Sequence, residues 1–343
     1  MRFAASILSC TRRNGQLMDD VLVIIVNYNG GPSLNDCVES VQNQGINTKI
    51  VIVDNNSTDG SEVQVKTAYP DVVVRQTYSN LGYGAAVNLA VSENSAETIA
   101  ILNPDVILKD NCLERLLSQL RSSAGVVGPT LNVSGSDGRE CGWTINHIGM
   151  PTPQSPGEPP LYLPGCVLVT TREVFSKVGG FDSRYFLFVE DVEFCWRVLL
   201  CGFEVSVAMN AEALHEGGGS AKGGYLRHGA PFETTDLRVA LRERNEVAMM
   251  ISCAPAWWLP IVIPIQLLHV VLVSVGALAL RRPTLSKDLL LGIVWNARQV
   301  RSSLSRRRSL ERTSAGSRNA RSRIVSGTLL LKTIRSHGLP KFV

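Results

Sequence analysis

Eight residues in the first third of the chain follow or interrupt apolar runs, and they offer carboxylates, amides or bare backbone to a ligand. They are Asn27, Asn29, Asp54, Asn80, Gly84, Asn88, Asn103 and Asp105. The last stands inside "IAILNPDVIL", between two runs that are typical of buried strands. Burying that carboxylate is costly unless it is paired or binds a cation. Asp105 is therefore a candidate cation ligand.

These residue types suit different parts of one ligand, a nucleoside diphosphate. Asp54 can accept a hydrogen bond from a base imide or a ribose hydroxyl. The glycines of "SNLGYGAAVN" let backbone approach a ligand, and backbone N–H groups at a helix start suit anions. Asp105 offers the hard oxygen that a divalent cation prefers, with phosphate as co-ligand. A dinucleotide is less favoured, because "GYGAAV" lacks the third glycine of that fingerprint and follows the third strand.

A second group of candidates lies further along the chain, and each also has an ordinary structural interpretation. Glu190 and Asp191 open the run "EDVEFCWR", where acids can simply interact with a helix dipole. His215 follows an apolar run and could be a surface histidine before a loop. The loop "HEGGGSAKGG" contains enough glycine to close over a ligand as a lid, and a passive linker is the alternative.

The elements that must position these residues alternate along the chain from residue 21. The runs "VLVIIVNYN", "KIVIVDNN", "DVVVRQ" and "TIAILNPDVIL" are predicted as four strands. Helices are predicted between them, the first with Ser33 as its N-cap. This alternation predicts an open, mostly parallel α/β sheet. Because ligands bind beyond the carboxyl ends of such strands, the candidate residues should converge on one crevice.

The second half of the chain continues the pattern. The run "LPGCVLVTTREVFSKVGGFD" predicts a strand, a helix and a glycine stop. The run "EDVEFCWRVLLCGF" predicts a helix that Gly202 ends, and "DLRVALRERNEVAMMI" predicts another. Five prolines in residues 151–160 predict a loop or linker there.

Seven ordered motifs make the chain resemble the family 2 glycosyltransferases, especially the bacterial rhamnosyltransferase-like branch. They are "VIIVNYN", "VDNNSTDGS", "NLGYGAAVN", "LNPDV", "LPGCVLVTTREVFSKVGGFD", "FVEDVEFCWR" and "HEGGGS". The resemblance covers about residues 20–245. It implies a GT-A fold, the Rossmann-like architecture of nucleotide-diphospho-sugar transferases.

The resemblance also implies roles at the matching positions of the donor site. Asp54 would contact the nucleotide base, with Asn27 and Asn29 lining the same pocket. The positions implied to lie near the sugar diphosphate are Asn80, Gly84, Asn88, Asn103, Asp105 and Ser220. An inverting transfer would then move a sugar from a nucleotide-diphosphate donor to an acceptor hydroxyl.

The implied metal site and base follow from the same comparison of motifs. Asp105 would be the metal carboxylate of a D-x-D-like motif, and His215 a second metal residue. Asn103 replaces the first acid of that motif, so a Mg²⁺ or Mn²⁺ cofactor should bind more weakly or depend on His215. Asp191 would be the catalytic base of the E-D motif. Glu193 stands where many relatives have Asp.

The resemblance also implies classes of donor and acceptor substrate. A dTDP-rhamnose, UDP-sugar or GDP-sugar would be the donor, with L-rhamnose the leading prediction. The acceptor would be lipid-linked or a cell-surface glycan. Two alternatives remain open: a polyprenyl-phosphate sugar transferase, and a non-catalytic module that binds nucleotide sugars or glycans at a membrane.

Cysteine spacing and the distribution of charge indicate which kind of site and which kind of partner to expect. The eight cysteines lack C-x-x-C spacing and most stand in apolar contexts, which favours buried reduced thiols over a zinc site. Residues 281–343 hold 15 Lys and Arg against 2 Asp and Glu, a net charge of +13 on a chain whose total is +4. Such a tail favours an anionic partner. The adjacent apolar run makes lipid the prediction rather than nucleic acid.

The domain boundaries follow from these shifts in composition. Residues 1–18 are predicted as a leader, with Met18 a candidate start. Residues 19–245 form the glycosyltransferase domain, with a nucleotide-binding half at 19–130 and an acceptor half at 160–245. Residues 246–280 form an apolar segment and 281–343 a basic tail. Because one crossing would carry the tail away from the cytosolic donor, we expect monotopic or re-entrant association with the cytoplasmic face of the membrane.

Overall fold

The computed structural model describes residues 21–134, 139–146, 151–216, 233–313, 324–325 and 341–342. Its first elements alternate as the sequence predicts. They are β1 (Val21–Asn27), α1 (Ser33–Gln42), β2 (Thr48–Asp54), α2 (Ser61–Ala68), β3 (Val73–Gln76), α3 (Tyr83–Ser92) and β4 (Thr98–Leu102). Ser33 is the first residue of α1 rather than its N-cap, and its hydroxyl donates to Glu216 instead.

The middle of the chain adds strands that reverse direction. Its elements are β5 (Val106–Leu108), α4 (Cys112–Ser122), β6 (Gly125–Val133), β7 (Arg139–Glu140), β8 (Trp143–Asn146), β9 (Pro151–Pro153), β10 (Val167–Thr171), α5 (Arg172–Val178), α6 (Glu190–Leu200) and β11 (Glu204–His215). The proline-rich stretch was predicted as a loop throughout, but its first three residues pair with β8, since this short strand needs few N–H donors.

Three long helices follow. After β12 (Glu233–Thr234) come α7 (Asp236–Cys253), α8 (Leu259–Ala279) and α9 (Pro283–Thr313), then the short strands β13 (Ile324–Val325) and β14 (Lys341–Phe342). The stretch Ala256–Ala279 is long and apolar enough to cross a membrane by length and composition. Part of the predicted basic tail is thus a helix, α9, that packs on α7 and α8.

The main sheet has the strand order β3-β2-β1-β4-β10-β6-β11-β5, with β7 beside β6. Strands β1 to β4 are parallel to one another, and β10 and β5 run antiparallel to their neighbours. The two apolar runs on either side of Asn103-Pro104-Asp105 are strands, as predicted, but they are two separate strands and not the one fourth strand counted for "TIAILNPDVIL". Asn103 and Pro104 break the run, so β4 lies centrally and β5 at the far edge.

The sheet is covered on both faces, and alternate residues of β1 supply each core. Leu22 and Ile24 face a core with α3 and α6, whereas Val23 and Ile25 face a core with α1 and α4. Two covered faces explain the continuous apolar run of β1. The parallel register pairs Asn27 with Asp54, so the polar residues at the ends of β1 and β2 are neighbours.

Candidate active site

The ends of β1 and β2 form a hydrogen-bonded unit around Asp54. Its Oδ1 accepts from Asn27 Nδ2 at 2.9 Å and from the Ser57 hydroxyl at 2.5 Å. Its Oδ2 accepts from the Ser57 N–H at 3.0 Å and from Gln76 Nε2 at 3.2 Å. Asp54 and Asn27 are fully buried. A base contact at Asp54 stays a prediction, and it would require exchange of one of these internal bonds.

Asn29 holds the neighbouring loop. Its Oδ1 accepts from the Thr58 N–H at 2.8 Å, and its own N–H donates to the Ser57 hydroxyl at 3.0 Å. Its positive φ of 53° is a conformation that Asn tolerates better than most residues. Asn29 is thus placed beside Asp54 as the sequence suggests, and it orders the loop at residues 57–58.

The glycines after β3 serve packing in this structure. Gly84 lies against Phe181, and a Cβ there would come within 2.7 Å of the Phe181 Cβ. Gly82 has φ 84° and lies against the Phe186 carbonyl, while Asn80 Oδ1 accepts from its N–H at 2.9 Å. These glycines were expected to let backbone approach a ligand. Here Gly82 approaches the backbone of Phe186, and Gly84 approaches the side chain of Phe181.

Asn88 joins the same segment to α3. Its Nδ2 donates to the Phe181 carbonyl at 2.9 Å, and its Oδ1 accepts from the Phe181 N–H at 2.9 Å. Both ends of the Asn88 amide are therefore occupied by backbone. Its role beside a sugar diphosphate stays a prediction, and its observed role is to fix the chain that leads into α6.

Asp105 pairs with His215, which explains its place between apolar strands. The antiparallel register of β5 and β11 sets His215 opposite Val106, and His215 Nε2 lies 3.2 Å from Asp105 Oδ1. Burial disfavours the charged ring, but Cys166 and Asp105 outweigh that effect and raise the pKa of His215 to about 11. The imidazolium compensates the Asp105 charge, and the two predicted metal residues do meet.

Gly165 and Cys166 connect this pair to Asp191. The Gly165 N–H donates to Asp191 Oδ2 at 2.9 Å. The next residue, Cys166, interacts with His215, and its carbonyl accepts from the Asn103 N–H at 2.9 Å. Two adjacent residues therefore bring the base candidate close to Asn103, Asp105 and His215.

Glu190 and Asp191 are adjacent carboxyls in different environments. Burial raises the pKa of Asp191, while the N–H groups of Gly165 and Val192 favour its ionised form. Burial and the Asp191 charge raise the pKa of Glu190 to about 8, and its Oε2 has no hydrogen-bond partner among the described residues. The two N–H donors on Asp191 and the unpartnered Oε2 of Glu190 favour the charge on Asp191 and the shared proton on Glu190.

Comparison with known proteins identifies a domain within the chain. The profile described as glycosyl transferase family 2 matches residues 22–182, and one described as N-terminal domain of galactosyltransferase matches residues 159–215. The chain contains a family 2 glycosyltransferase domain. It is 29% identical over 235 residues to the N-acetylglucosaminyl-diphospho-decaprenol L-rhamnosyltransferase of Mycobacterium tuberculosis, which covers 58% of this chain and 76% of that protein.

Solved glycosyltransferase structures confirm the GT-A fold of the domain. GalNAc-T7 with UDP, GalNAc and Mn²⁺ has a TM-score of 0.56 at 15% identity, and covers 69% of this chain and 48% of its own. S. aureus TarS 1–349 in complex with UDP has a TM-score of 0.52 at 13% identity, and covers 86% of this chain and 90% of its own. The chain thus spans about half the length of the first protein.

The segment before α6 of this glycosyltransferase is strained, which the sequence did not predict. Phe186, Phe188 and Val189 have φ values of 64°, 67° and 71°. Such conformations cost of order 1–3 kcal/mol each and persist when the surroundings impose them. Asp191 lies two residues after Val189, so this segment determines where α6 and its first acids begin.

Asn245 of α7 is the main restraint on that segment. It is fully buried, and its Nδ2 lies within 2.8–2.9 Å of the carbonyls of Tyr185, Leu187 and Phe188. Sequence reasoning missed this residue, because "RERNE" looks like an ordinary solvated stretch of helix. Its signal was an amide on the buried side of an amphipathic helix.

Glu193, which departs from the common Asp of relatives, has a structural partner. Its carboxylate forms a bidentate pair with Arg197 at 2.6 Å, and both side chains are fully buried. Arg197 also donates to the carbonyls of Val178 and Gly180. The longer Glu side chain reaches the residue one turn on, so this departure serves the packing of α6.

Asp105 and His215 fit part of a cation site in the glycosyltransferase. Neighbouring ligands of an octahedral Mg²⁺ or Mn²⁺ lie about 3 Å apart, close to the 3.2 Å between Asp105 Oδ1 and His215 Nε2. Within the described residues no third His, Cys, Asp or Glu completes such a group. Diphosphate oxygens and water would have to supply the remaining ligands. Ser220 and most of the predicted lid lie outside the described residues.

Proposed function

We propose that the protein is an inverting glycosyltransferase that moves a sugar, with L-rhamnose the best candidate, from a nucleotide diphosphate to a hydroxyl of a lipid-linked or cell-surface glycan. Asp191 is the general base. Asp105 and His215 hold Mg²⁺ or Mn²⁺ with the donor diphosphate. This proposal concerns the reaction, the residues and the substrates; that the protein is a glycosyltransferase is already established by its family.

The observation that carries the proposal is the connection through Gly165 and Cys166. A displacement at an anomeric carbon needs a base on one side and charge compensation for the leaving group on the other. Gly165 contacts Asp191, and Cys166 contacts His215 of the Asp105 pair. The two functions thus contact adjacent residues of one short segment, which supports a shared reaction centre.

Different residues of the chain carry out different parts of the transfer reaction. The acceptor oxygen attacks the anomeric carbon, the bond from that carbon to the donor diphosphate breaks, and Asp191 takes the hydroxyl proton. The N–H groups of Gly165 and Val192 hold the carboxylate in its ionised form. A bound divalent cation would neutralise charge on the departing diphosphate. With no cation bound, the protonated imidazolium of His215 would supply positive charge at this position instead.

The donor and acceptor classes rest on the relatives. The Mycobacterium tuberculosis relative is named as a rhamnosyltransferase with a decaprenol-linked acceptor, which supports a rhamnose donor and a lipid-linked acceptor for this chain. Screening donor hydrolysis over dTDP-, UDP- and GDP-sugars, with and without Mn²⁺, tests the donor. Hydrolysis of a UDP- or GDP-sugar alone would replace rhamnose in the proposal.

Replacing Asp191 tests the mechanism. We expect Asp191→Asn to reduce transfer by about 10²–10⁴-fold, the usual contribution of a general base, while nucleotide affinity measured by calorimetry stays near that of the parent. Asp110→Asn, an exposed acid in a loop, is the matched control and should transfer normally. Near-parental turnover of Asp191→Asn would exclude Asp191 as the base.

The same assay separates the alternative functions. Full activity of Asp191→Asn toward a polyprenyl-phosphate acceptor would favour a phosphate nucleophile that needs no base. Nucleotide-sugar binding without turnover on any acceptor in a broad panel would favour a non-catalytic binding module. Either result would overturn the proposed reaction and leave the fold assignment intact.

A further inference from the structure

Helix α8 buries only a narrow stripe of its surface. Buried positions recur every three or four residues, at Val262, Gln266, Val270, Ser274 and Ala277. The large exposed side chains on the rest of the helix are all apolar: Ile261, Ile265, Leu268, Val271, Leu272, Val275 and Leu278. Leu268 and Leu272 are 59% and 61% exposed. A helix that faces water carries polar residues at such positions.

The apolar surface extends beyond α8 and has a cationic border. Trp257 is exposed just before the helix, and α9 exposes Leu290, Leu291 and Val294. The exposed charges near the turn between the two helices include Arg281 and Lys287, with Asp288 beside them. The sequence of residues 314–343, most of which lie outside the described residues, contains six Lys and Arg and no Asp or Glu. An apolar surface with a basic border complements anionic lipid.

We propose that these exposed residues of α8 and α9 form a membrane face that docks into an anionic phospholipid bilayer, with α8 lying in the plane of the membrane. At about 1.5 Å per residue, α8 presents roughly 30 Å of continuous apolar surface. Patches of this kind mark interaction sites. The proposal rests on the surface alone and does not depend on the reaction proposed above.

The packing of α8 favours an in-plane helix over a span. Its buried stripe runs the full length of the helix against α7 and α9. His269 Nε2 lies 3.2 Å from Glu243 of α7, and Ser274 Oγ lies 2.7 Å from Ser286 Oγ of α9. Helix α7 also carries Arg242, Arg244 and Glu246. If α8 crossed the bilayer with these contacts intact, those charges would enter hydrocarbon, which is costly.

One helix, α7, connects the membrane face to the proposed reaction centre. Helix α7 contacts α8 on one side. On another side its Asn245 holds the carbonyls that precede Asp191. A lipid-linked acceptor in the bilayer would therefore present its polar end beside the element that positions the base.

Vesicle binding by the full chain tests the membrane face. We expect co-sedimentation with phosphatidylglycerol-containing vesicles, and weaker binding to pure phosphatidylcholine. Leu268→Glu with Leu272→Glu should reduce the bound fraction at least about tenfold, because each leucine loses its transfer into lipid. Val63→Glu is the matched control, since Val63 is an exposed aliphatic residue of α2, and it should bind as the parent does.

Depth measurements distinguish the in-plane helix from a span. Cysteines introduced at Ile261, Leu268 and Leu278 would carry a fluorophore that lipid-bound nitroxides quench; the parent chain is the blank, as its described cysteines are buried or, for Cys201, half-buried. Similar shallow depths at all three sites are expected. A deep centre with shallow ends would overturn the in-plane arrangement.

Two further results would overturn the proposal altogether. One is vesicle binding that the leucine variants leave unchanged. The other is a lipid-free dimer, detected by light scattering, that the same variants dissociate, because the face would then belong to a second copy. Donor hydrolysis by the variants in detergent is measured alongside; parental rates show that the fold and the donor site are intact.

Discussion

Asp105 is stabilised between two apolar strands by an ion pair with His215. At the residue scale this pairing makes cation binding and proton binding compete, because a metal ligand must be neutral imidazole. His215 therefore carries a proton when no cation is bound and must lose it when a cation binds. Asn103, two residues earlier, offers an amide where a second carboxylate would increase the affinity for a cation.

The first residue-scale prediction concerns Asn103. Asn103→Asp should lower the Mn²⁺ concentration for half-maximal activity by about tenfold, because ligand charge tunes cation affinity. Titrating Mn²⁺ into the transfer assay measures it. Asn111→Asp, which adds the same charge at the start of α4, should leave the Mn²⁺ requirement unchanged. An unchanged requirement in Asn103→Asp as well would place Asn103 outside the cation site.

The second residue-scale prediction concerns the buried proton on Glu190. Its pKa of about 8 lies above its ordinary value of 4.5, so between these pH values the native state holds a proton that the unfolded state has lost. Folding stability then falls as pH rises, by at most about 1.4 kcal/mol per pH unit. The Tm advantage of Glu190→Gln over the parent should grow between about pH 5 and pH 8.

Comparing variants separates the pH dependence due to Glu190 from that of other titrating groups. Burial and Glu243 raise the pKa of Glu246 to about 7 against the opposing Arg242 charge, but that group is common to both proteins. Glu173→Gln, an exposed acid on α5, is the control and should show no pH-dependent Tm difference. A constant difference for Glu190→Gln would mean that Glu190 is ionised in the native protein.

At the scale of elements, the approach to α6 depends on its neighbours. Phe186, Phe188 and Val189 adopt left-handed backbone only because other elements hold them. The Tyr83 N–H at the start of α3 donates to the Phe186 carbonyl at 2.7 Å, and Asn245 of α7 holds carbonyls on the other side. Helix α6, which carries the proposed base Asp191, begins where these two restraints meet.

Removing the α7 restraint should therefore affect catalysis beyond its effect on stability. Asn245→Ala is expected to lose about 1–3 kcal/mol of stability through unpaired carbonyls and to lower kcat at least about tenfold with donor KM little changed. Asn296→Ala removes a comparable buried amide from α9 and should destabilise without lowering kcat. Equal kcat losses in both variants would reduce Asn245 to a purely structural role.

The elements show how far the sequence alone could reach. Alternating apolar runs and glycine stops correctly predicted the sheet, because burial on two faces leaves a strong pattern in β1, β2 and β4. The same pattern failed at Asn103, since apolar periodicity does not reveal that β5 joins a distant edge. The pairing of Asp105 with His215 came from motif order, whereas Asn245 and the strain at residues 186–189 depend on contacts between distant elements.

At the scale of the whole molecule, the C-terminal helix is part of the glycosyltransferase body. Arg306 of α9 lies 3.1 Å from Asp182, which precedes α6, and 3.9 Å from Glu193 of α6, and both acids are buried. Arg307 is buried and donates to the carbonyls of Ile251 and Ala254. Charges that composition alone assigned to a lipid-binding tail thus partly serve internal pairs.

Replacing Arg306 tests that integration. Arg306→Gln should reduce the free energy of unfolding by about 1.5–3 kcal/mol, the range for hydrogen bonds to charged groups, because among the described residues Asp182 then keeps only Arg184 as a charged partner. Urea unfolding of the full chain measures it. Arg301→Gln, on the exposed side of α9, should change stability by less than about 0.5 kcal/mol. Equal stabilities would show that α9 is detachable.

The one-sided burial of α8 has a practical consequence for protein production. Its exposed aliphatic residues and its buried polar contacts lie on different sides of the same helix, so each set can be changed without disturbing the other. Replacing Leu268, Leu272 and Val275 with hydrophilic residues would reduce the exposed apolar surface. The variant should then be purified and crystallised without detergent. Deleting the helix would instead remove partners of α7 and loosen the support of Asp191.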